Sequence, residues 1–322
     1  MPDDRSQRRA VSRRRFLGQS AVLAVAVGLT RPWVSAAAPP PGDRVTFSFG
    51  TYGMPGLRTE SALRAIAEIG YDGVELCVRP DCDAAPQKLS PSRRQALREL
   101  LPALDLKLTA MMEHLVPNAD PGEQQSALDR LSRVAELARD LSPERPPLLQ
   151  TVLGGGVWTE VRGLYRDQLA KWLELLEPAA VTLAIKPHRG GAMSRPSEAI
   201  DLIRELGNPP RLKMVYDYSH YAFRDMPLDV TIAESLAHTA HVAMKDTVQE
   251  GSKFRFLLPG ESRMFDYSDL LSRFYRGGYR GDFCCEVSSM VSGAKNYDPL
   301  VAAKTCYQNL APAFELARVP RV

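Results

Sequence analysis

Eight short apolar runs recur along this chain, each followed by a longer stretch of helical periodicity. The runs cover residues 45–51, 73–77, 106–111, 148–153, 181–186, 212–217, 240–245 and 283–287, and their ends lie 26, 34, 42, 33, 31, 28 and 42 residues apart. Runs this short and apolar read as strands buried on both faces. Between them, Leu63, Ile66 and Ile69 share one stripe, as do Leu128, Leu131, Val134, Leu137 and Leu141. Segments 197–206 and 267–275 behave similarly, and Pro91 and Pro299 sit where helices should begin. Parallel strands need crossovers of this length. Eight strand–helix units in ~280 residues are what a closed (β/α)8 barrel requires. The expected fold is therefore α/β, a single (β/α)8 TIM barrel over residues 45–322. An open doubly wound sheet is disfavoured, because no GxGxxG follows an early strand. Gly154-Gly155-Gly156 is the one run of three glycines and lacks the Lys-Ser/Thr of a phosphate loop, so it reads as a tight turn after the fourth strand.

The charge is unevenly placed. The chain has 41 Lys plus Arg and 38 Asp plus Glu, a net +3. Residues 1–36 hold seven arginines and two aspartates, +5, which leaves 34 basic and 36 acidic residues, −2, for the rest. A slightly acidic body argues against a nucleic-acid binder, whose affinity comes from phosphate neutralisation. The cationic start leads into Arg13-Arg14-Arg15-Phe16-Leu17 and the apolar run 21–28, shorter than the ~20 residues that anchor in a bilayer. Val34-Ser35-Ala36 offers a cleavage site after Ala36. The paired arginines before Phe-Leu resemble a twin-arginine (Tat) signal. That resemblance implies the Tat export machinery as a partner, folding before export, a periplasmic or secreted mature protein and no stable membrane anchor. Residues 37–44, rich in proline, read as a linker.

Cys77, Cys82, Cys284, Cys285 and Cys306 are odd in number and show no CxxC pair. Neither a structural zinc site nor a disulfide framework is evident, and most read as small buried hydrophobes.

In such a barrel the strand C-termini build the active face. Strand five ends Leu183-Ala-Ile-Lys186-Pro187-His188 and strand six ends Met214-Val-Tyr-Asp217-Tyr-Ser-His220. Strand seven reads His241-Val-Ala-Met-Lys245-Asp246 and strand eight Phe283-Cys-Cys-Glu286-Val. Charged groups after four apolar strands are costly unless paired or metal-bound. Asp217, His241 and Glu286 supply one nitrogen and two carboxylates, a set that suits Mn, Mg or Zn. Lys245 and Asp246 read as an ion pair within the site.

These residues, with Gly70-Tyr71-Asp72-Gly73-Val74-Glu75-Leu76 at strand two and Gly278-Tyr-Arg-Gly-Asp-Phe-Cys-Cys-Glu286 at strand eight, resemble the xylose isomerase-like TIM-barrel superfamily of sugar phosphate isomerases and epimerases. The resemblance spans roughly residues 45–317. It implies a divalent metal held by Glu, Asp, His and Glu from strands five to eight. Asp217, His241 and Glu286 match the last three ligands, whereas Lys186 stands where the first Glu belongs. Three outcomes stay open. Lys186 can pair with Glu286 or Asp217 and serve as the electrophile. A metal can still bind through Asp217, His241 and Glu286, with Lys186 as a base. Or Lys186 is an ion-pair partner in a dead site.

Glu286 and Lys186 are thus the catalytic candidates. His188, His220, His114, Trp158 and Arg255 are the substrate-binding candidates, by position beyond strand ends or in the long loop after strand seven. The expected function is an exported sugar isomerase or epimerase that abstracts a proton next to a carbonyl, acting on a sugar, keto-sugar or sugar acid. The alternative is a non-catalytic or metal-independent sugar-binding or lyase relative. The superfamily's DNA-repair branch is disfavoured by five histidines in total and the acidic body. Members often pair through their helices, so a homo-oligomer is allowed.

Overall fold

The computed structural model describes residues 41–322. Eight parallel strands close into a barrel. They are β1 (Thr46–Gly50), β2 (Gly73–Cys77), β3 (Lys107–Met112), β4 (Leu148–Thr151), β5 (Leu183–Ile185), β6 (Leu212–Asp217), β7 (Thr239–Met244) and β10 (Asp282–Cys285). Two further strands, β8 (Asp246–Glu250) and β9 (Lys253–Leu257), form an antiparallel hairpin after β7. The expected single (β/α)8 barrel is the observed fold. The expected signal segment 1–36 and the first part of the linker lie outside the described residues. At the linker's end Asp43 is already tied to Arg280.

The helices wrap the barrel as the apolar stripes require. They are α1 (Thr59–Ile69), α2 (Pro91–Ala103), α3 (Pro121–Leu141), α4 (Trp158–Leu176), α5 (Pro196–Glu205), α6 (Leu228–Ser235), α7 (Tyr267–Arg276), the short α8 (Ser289–Ser292) and α9 (Pro299–Leu316). Leu63 and Ile66 of α1 and Leu131, Val134 and Leu137 of α3 are buried against the strands. Helix starts carry their caps: Ser90, Asp120, Asp266 and Asp298 each accept a backbone N–H of the first turn, and Pro91, Pro121 and Pro299 follow where no N–H is needed. Gly70 ends α1 at φ 111°, a conformation that costs a side chain dearly. Among the described residues no helix is long and apolar enough to cross a membrane.

Strand ends decide where chemistry can sit. Lys186 N donates to Thr151 O at 2.9 Å and Glu286 N to Met244 O at 3.0 Å, so the ladder continues one residue past β5 and β10. Side chains alternate along a strand. Lys186, Asp217, Lys245 and Glu286 therefore project into the barrel together with Ala184, Val215, Ala243 and Cys284 two residues earlier. Ala184, Val215 and Ala243 pack as a small apolar layer.

The segment after β7, which by sequence is only a long loop, is this hairpin. Gly251 turns it at φ 59°. Its return is held by Asp246, whose carboxylate accepts from Gly260 N (3.0 Å), Ser262 N (2.7 Å) and Tyr267 Oη (2.5 Å). Asp246 thus serves the loop rather than pairing with Lys245. A second departure is covalent: Cys77 and Cys82 form a disulfide across the turn after β2, while Cys284, Cys285 and Cys306 are free and buried.

Candidate active site

Four charged side chains meet at the C-terminal mouth of the barrel. Lys186 Nζ lies 2.9 Å from Asp217 Oδ2 and 2.5 Å from Glu286 Oε2. Lys245 Nζ lies 3.2 Å from the same Asp217 oxygen and 2.7 Å from Glu286 Oε1. Each carboxylate thus faces two ammonium groups, and the quartet is neutral. All four are 5% exposed or less. Burial opposes ionisation of Asp217 and Glu286, but Lys186 and Lys245 outweigh it and hold both carboxyls well below the ordinary range. Burial likewise opposes the charge on Lys186, and Asp217 and Glu286 overcome it, raising its pKa. Asp217 Oδ1 also accepts from Ser219 N and Oγ.

Two histidines extend the cluster. His220 Nε2 lies 3.2 Å from Lys245 Nζ and 3.4 Å from Asp217 Oδ2. The His188 ring packs against it, tilted by 49°, at 4.0 Å between centroids. Burial and then the nearby ammoniums keep both imidazoles neutral, with His188 lowered to about 4 and His220 well below its ordinary 6.5. His114, also lowered to about 4 by burial and Arg79, lies beyond β3 next to Glu113. Burial pushes the Glu113 carboxyl up despite its ion pair with Arg130.

A cavity of about 200 Å³ opens onto this cluster, lined by Tyr52, Glu113, His114, Gln150, Thr151, Lys186, His188, Lys245, Phe256 and Glu286. A larger cleft of about 670 Å³ adjoins it over the ends of β1 and β2 and shares Tyr52 and Ser289. The smaller one is lined by Lys186, Lys245 and Glu286 of the buried quartet and is the better seat for chemistry.

Of the residues expected from sequence, the structure brings together Lys186, Asp217, Glu286, His188 and His220, with His114 on the same cavity. His241 is not with them. It sits four residues before Lys245 in the same strand, about 13 Å lower at the usual rise. There its Nε2 is 3.3 Å from Glu75 Oε2 and its Nδ1 3.3 Å from Asp282 Oδ2. Lys245 occupies the strand-seven place at the mouth. Arg255 points out to solvent, because strand alternation turns its neighbour Phe256 inward instead. Phe256 caps Lys245 Nζ at 4.8 Å from its ring centre. Trp158 opens α4, packs edge-on against Tyr165 and under Arg162, and is absent from the cavity wall.

The mouth does not fit a divalent ion. Both carboxylates that would ligate it are already taken by ammonium groups, and the expected imidazole is elsewhere. Two lysines supply the +2 that such an ion would bring. Deeper in the barrel, Glu75, His241 and Cys284 offer ligand atoms within 4.8 Å of one another, a group able to receive a divalent cation.

Residues 63–304 match the family model described as xylose isomerase-like TIM barrel. The chain belongs to this family. No curated protein matches it. Solved structures share its fold at low identity. One is 3-keto-D-glucoside 4-epimerase from E. coli, with 13% identity, TM-score 0.65, 84% of this chain and 100% of that one covered. IOLI protein with a bound zinc atom gives 16% identity, TM-score 0.69 and coverage of 85% and 99%. D-psicose 3-epimerase with D-fructose gives 9%, 0.68, 85% and 99%.

Proposed function

We propose that this family member is an exported enzyme that moves a proton next to the carbonyl of a sugar, keto-sugar or sugar acid, with ammonium groups in place of a metal at the mouth. The observation that carries this reading is the neutral, buried Lys186–Asp217–Lys245–Glu286 quartet opening onto a cavity. The likeness to two sugar epimerases supports the substrate class, and the arginine-rich start of the chain supports export.

In this reading the substrate carbonyl oxygen enters beside Lys186 and Lys245. Their ammoniums stabilise the negative charge that develops as the neighbouring C–H proton leaves. They are preorganised, because Asp217 and Glu286 fix both before substrate arrives. Glu113 is the stronger base on the cavity wall, since burial raises its carboxyl while Arg130 keeps it in place. Glu286, held low by two cations, is ionised but weakly basic. It orients the lysines and receives a proton only when substrate draws an ammonium away. Neutral His188 accepts hydrogen bonds from substrate hydroxyls, and Tyr52 and Phe256 offer ring faces to a sugar.

The test is exchange of substrate C–H for deuterium in D2O, followed by NMR over a panel of free ketoses, keto-glycosides and uronates. Exchange that falls at least tenfold in Lys245→Met and Glu113→Gln supports the reading. A second reading, a non-catalytic sugar binder, is favoured by the way the four charges satisfy one another. Sugar-induced thermal stabilisation with no exchange on any substrate would establish it.

A further inference from the structure

We propose that the barrel interior, beneath the mouth, holds a buried zinc site formed by Glu75 of β2, His241 of β7 and Cys284 of β10. The inference is independent of the function proposed above.

Three observations converge on it. First, Glu75, His241 and Cys284 are each fully buried, and their ligand atoms lie within 4.8 Å of one another. Second, Glu75 Oε1 and both ring nitrogens of His241 lack a hydrogen-bond partner of good geometry. Orphaned polar atoms in a barrel core are costly, and a cation removes that cost. Third, the space is kept open by the sequence. Gly50 is the residue of β1 paired with Glu75. A Cβ there would stand 3.1 Å from Glu75 Oε1 and 3.8 Å from Cys284 Sγ. Its φ is −83°, so the backbone alone does not call for glycine.

Two of the three ligands, His241 and Glu75, also have polar groups behind them. His241 Nδ1 faces Asp282 Oδ2 at 3.3 Å. Asp282 in turn accepts from Ser48 Oγ at 2.6 Å and Thr109 Oγ1 at 2.9 Å. A histidine backed by a carboxylate is the usual outer arrangement of a metal site. Gln150 donates to the Glu75 carboxylate. With Cys284, whose thiol now donates to Cys285 O at 3.6 Å, giving up its proton to the ion, the donors would be one thiolate, one imidazole and one carboxylate, a set that suits zinc and not the all-oxygen preference of Mg or Mn. None of the three ligands lines the mouth cavity. The ion would tie β2, β7 and β10 together across the core and would be loaded as the barrel closes. The metal-free competitor is an imidazolium bridging Glu75 and Asp282.

The full chain is purified, its metal content measured, and the protein refolded from chelator with cobalt(II). The expected result is about one zinc per chain and, after refolding, a near-ultraviolet thiolate-to-cobalt band. Cys284→Ser should abolish that band, and Asp282→Asn should weaken metal affinity roughly tenfold. Gly50→Ala keeps every donor but fills the space, so metal content should fall, whereas Asp217→Asn at the mouth should leave it unchanged. A folded wild-type chain that takes up neither metal, or shows no thiolate band, overturns the proposal even if the variants fail to fold. So does metal that follows Asp217 rather than Cys284.

Discussion

Two buried groups of ionisable residues lie one above the other in this barrel, and they are solved differently. At the mouth, Lys186, Asp217, Lys245 and Glu286 balance two charges against two, with every carboxylate in contact with both ammoniums. Deeper in the barrel, from the level of Ala243 and Cys284 downward, the group Glu75, His241, Cys284 and Asp282 has no lysine, and several of its atoms lack a hydrogen-bond partner of good geometry. A buried charge cluster can close on itself, or it can leave a place for something else. The mouth closes by pairing, and a substrate must compete with those pairs. The interior is incomplete without a cation or a proton.

Removing one ammonium from the mouth breaks the contrast most sharply. Lys245→Met leaves Asp217 and Glu286 sharing Lys186, an uncompensated buried charge that should cost about 3–5 kcal/mol in chemical unfolding. Adding Glu286→Gln should restore much of the loss, since the remaining Lys186–Asp217 pair is balanced. A double variant no more stable than the single one argues against pairing as the mouth's organising principle.

Truncating Phe256 to Ala uncovers Lys245 and should cost about 3 kcal/mol or less, because the ring sits on a surface hairpin rather than in the core. The adjacent Arg255→Ala should change stability by less than about 0.5 kcal/mol and leave sugar binding intact. Equal effects at the two positions would contradict the strand alternation that separates them.

Acid should act on the mouth in a defined direction. His188 and His114 are held at about 4 against an ordinary 6.5. The unfolded chain therefore takes up these protons first, and stability falls as pH drops from about 6.5 toward 4. Asp217, held below its ordinary 3.8, adds a further loss as pH falls beneath that value. Urea midpoints measured from pH 7 to 4 should decline, and His188→Asn should flatten the decline. A rising midpoint over that interval would reverse the assignment.

Much of the barrel is legible in the amino-acid sequence, because strands buried on both faces leave continuous apolar runs. Each of the eight apolar runs matches a barrel strand to within two residues at both ends. The hairpin is harder to see because its strands are half polar and exposed toward the turn, although Glu250-Gly251-Ser252 between Thr247-Val248 and Phe254-Arg255-Phe256 is a turn between alternating residues. Convergence of Lys186, Asp217 and Glu286 is legible from their shared position at strand ends. His241 fits the mouth by ligand type but not by register. Four residues along a strand preserve the inward face but change the depth.

Sequence periodicity alone determined the number of barrel strands, their order along the chain and which residues face inward, since alternation and amphipathic spacing are local properties of the chain. Depth within the barrel was decided only by the closed sheet. The stagger between neighbouring strands pairs Asp217 with Ala243, so that Lys245 lies two residues toward the mouth and His241 two residues away from it, and that stagger arises from hydrogen bonds between segments far apart in sequence. The same closure brought Glu75, His241 and Cys284 within reach of one another, a meeting that no local pattern encodes.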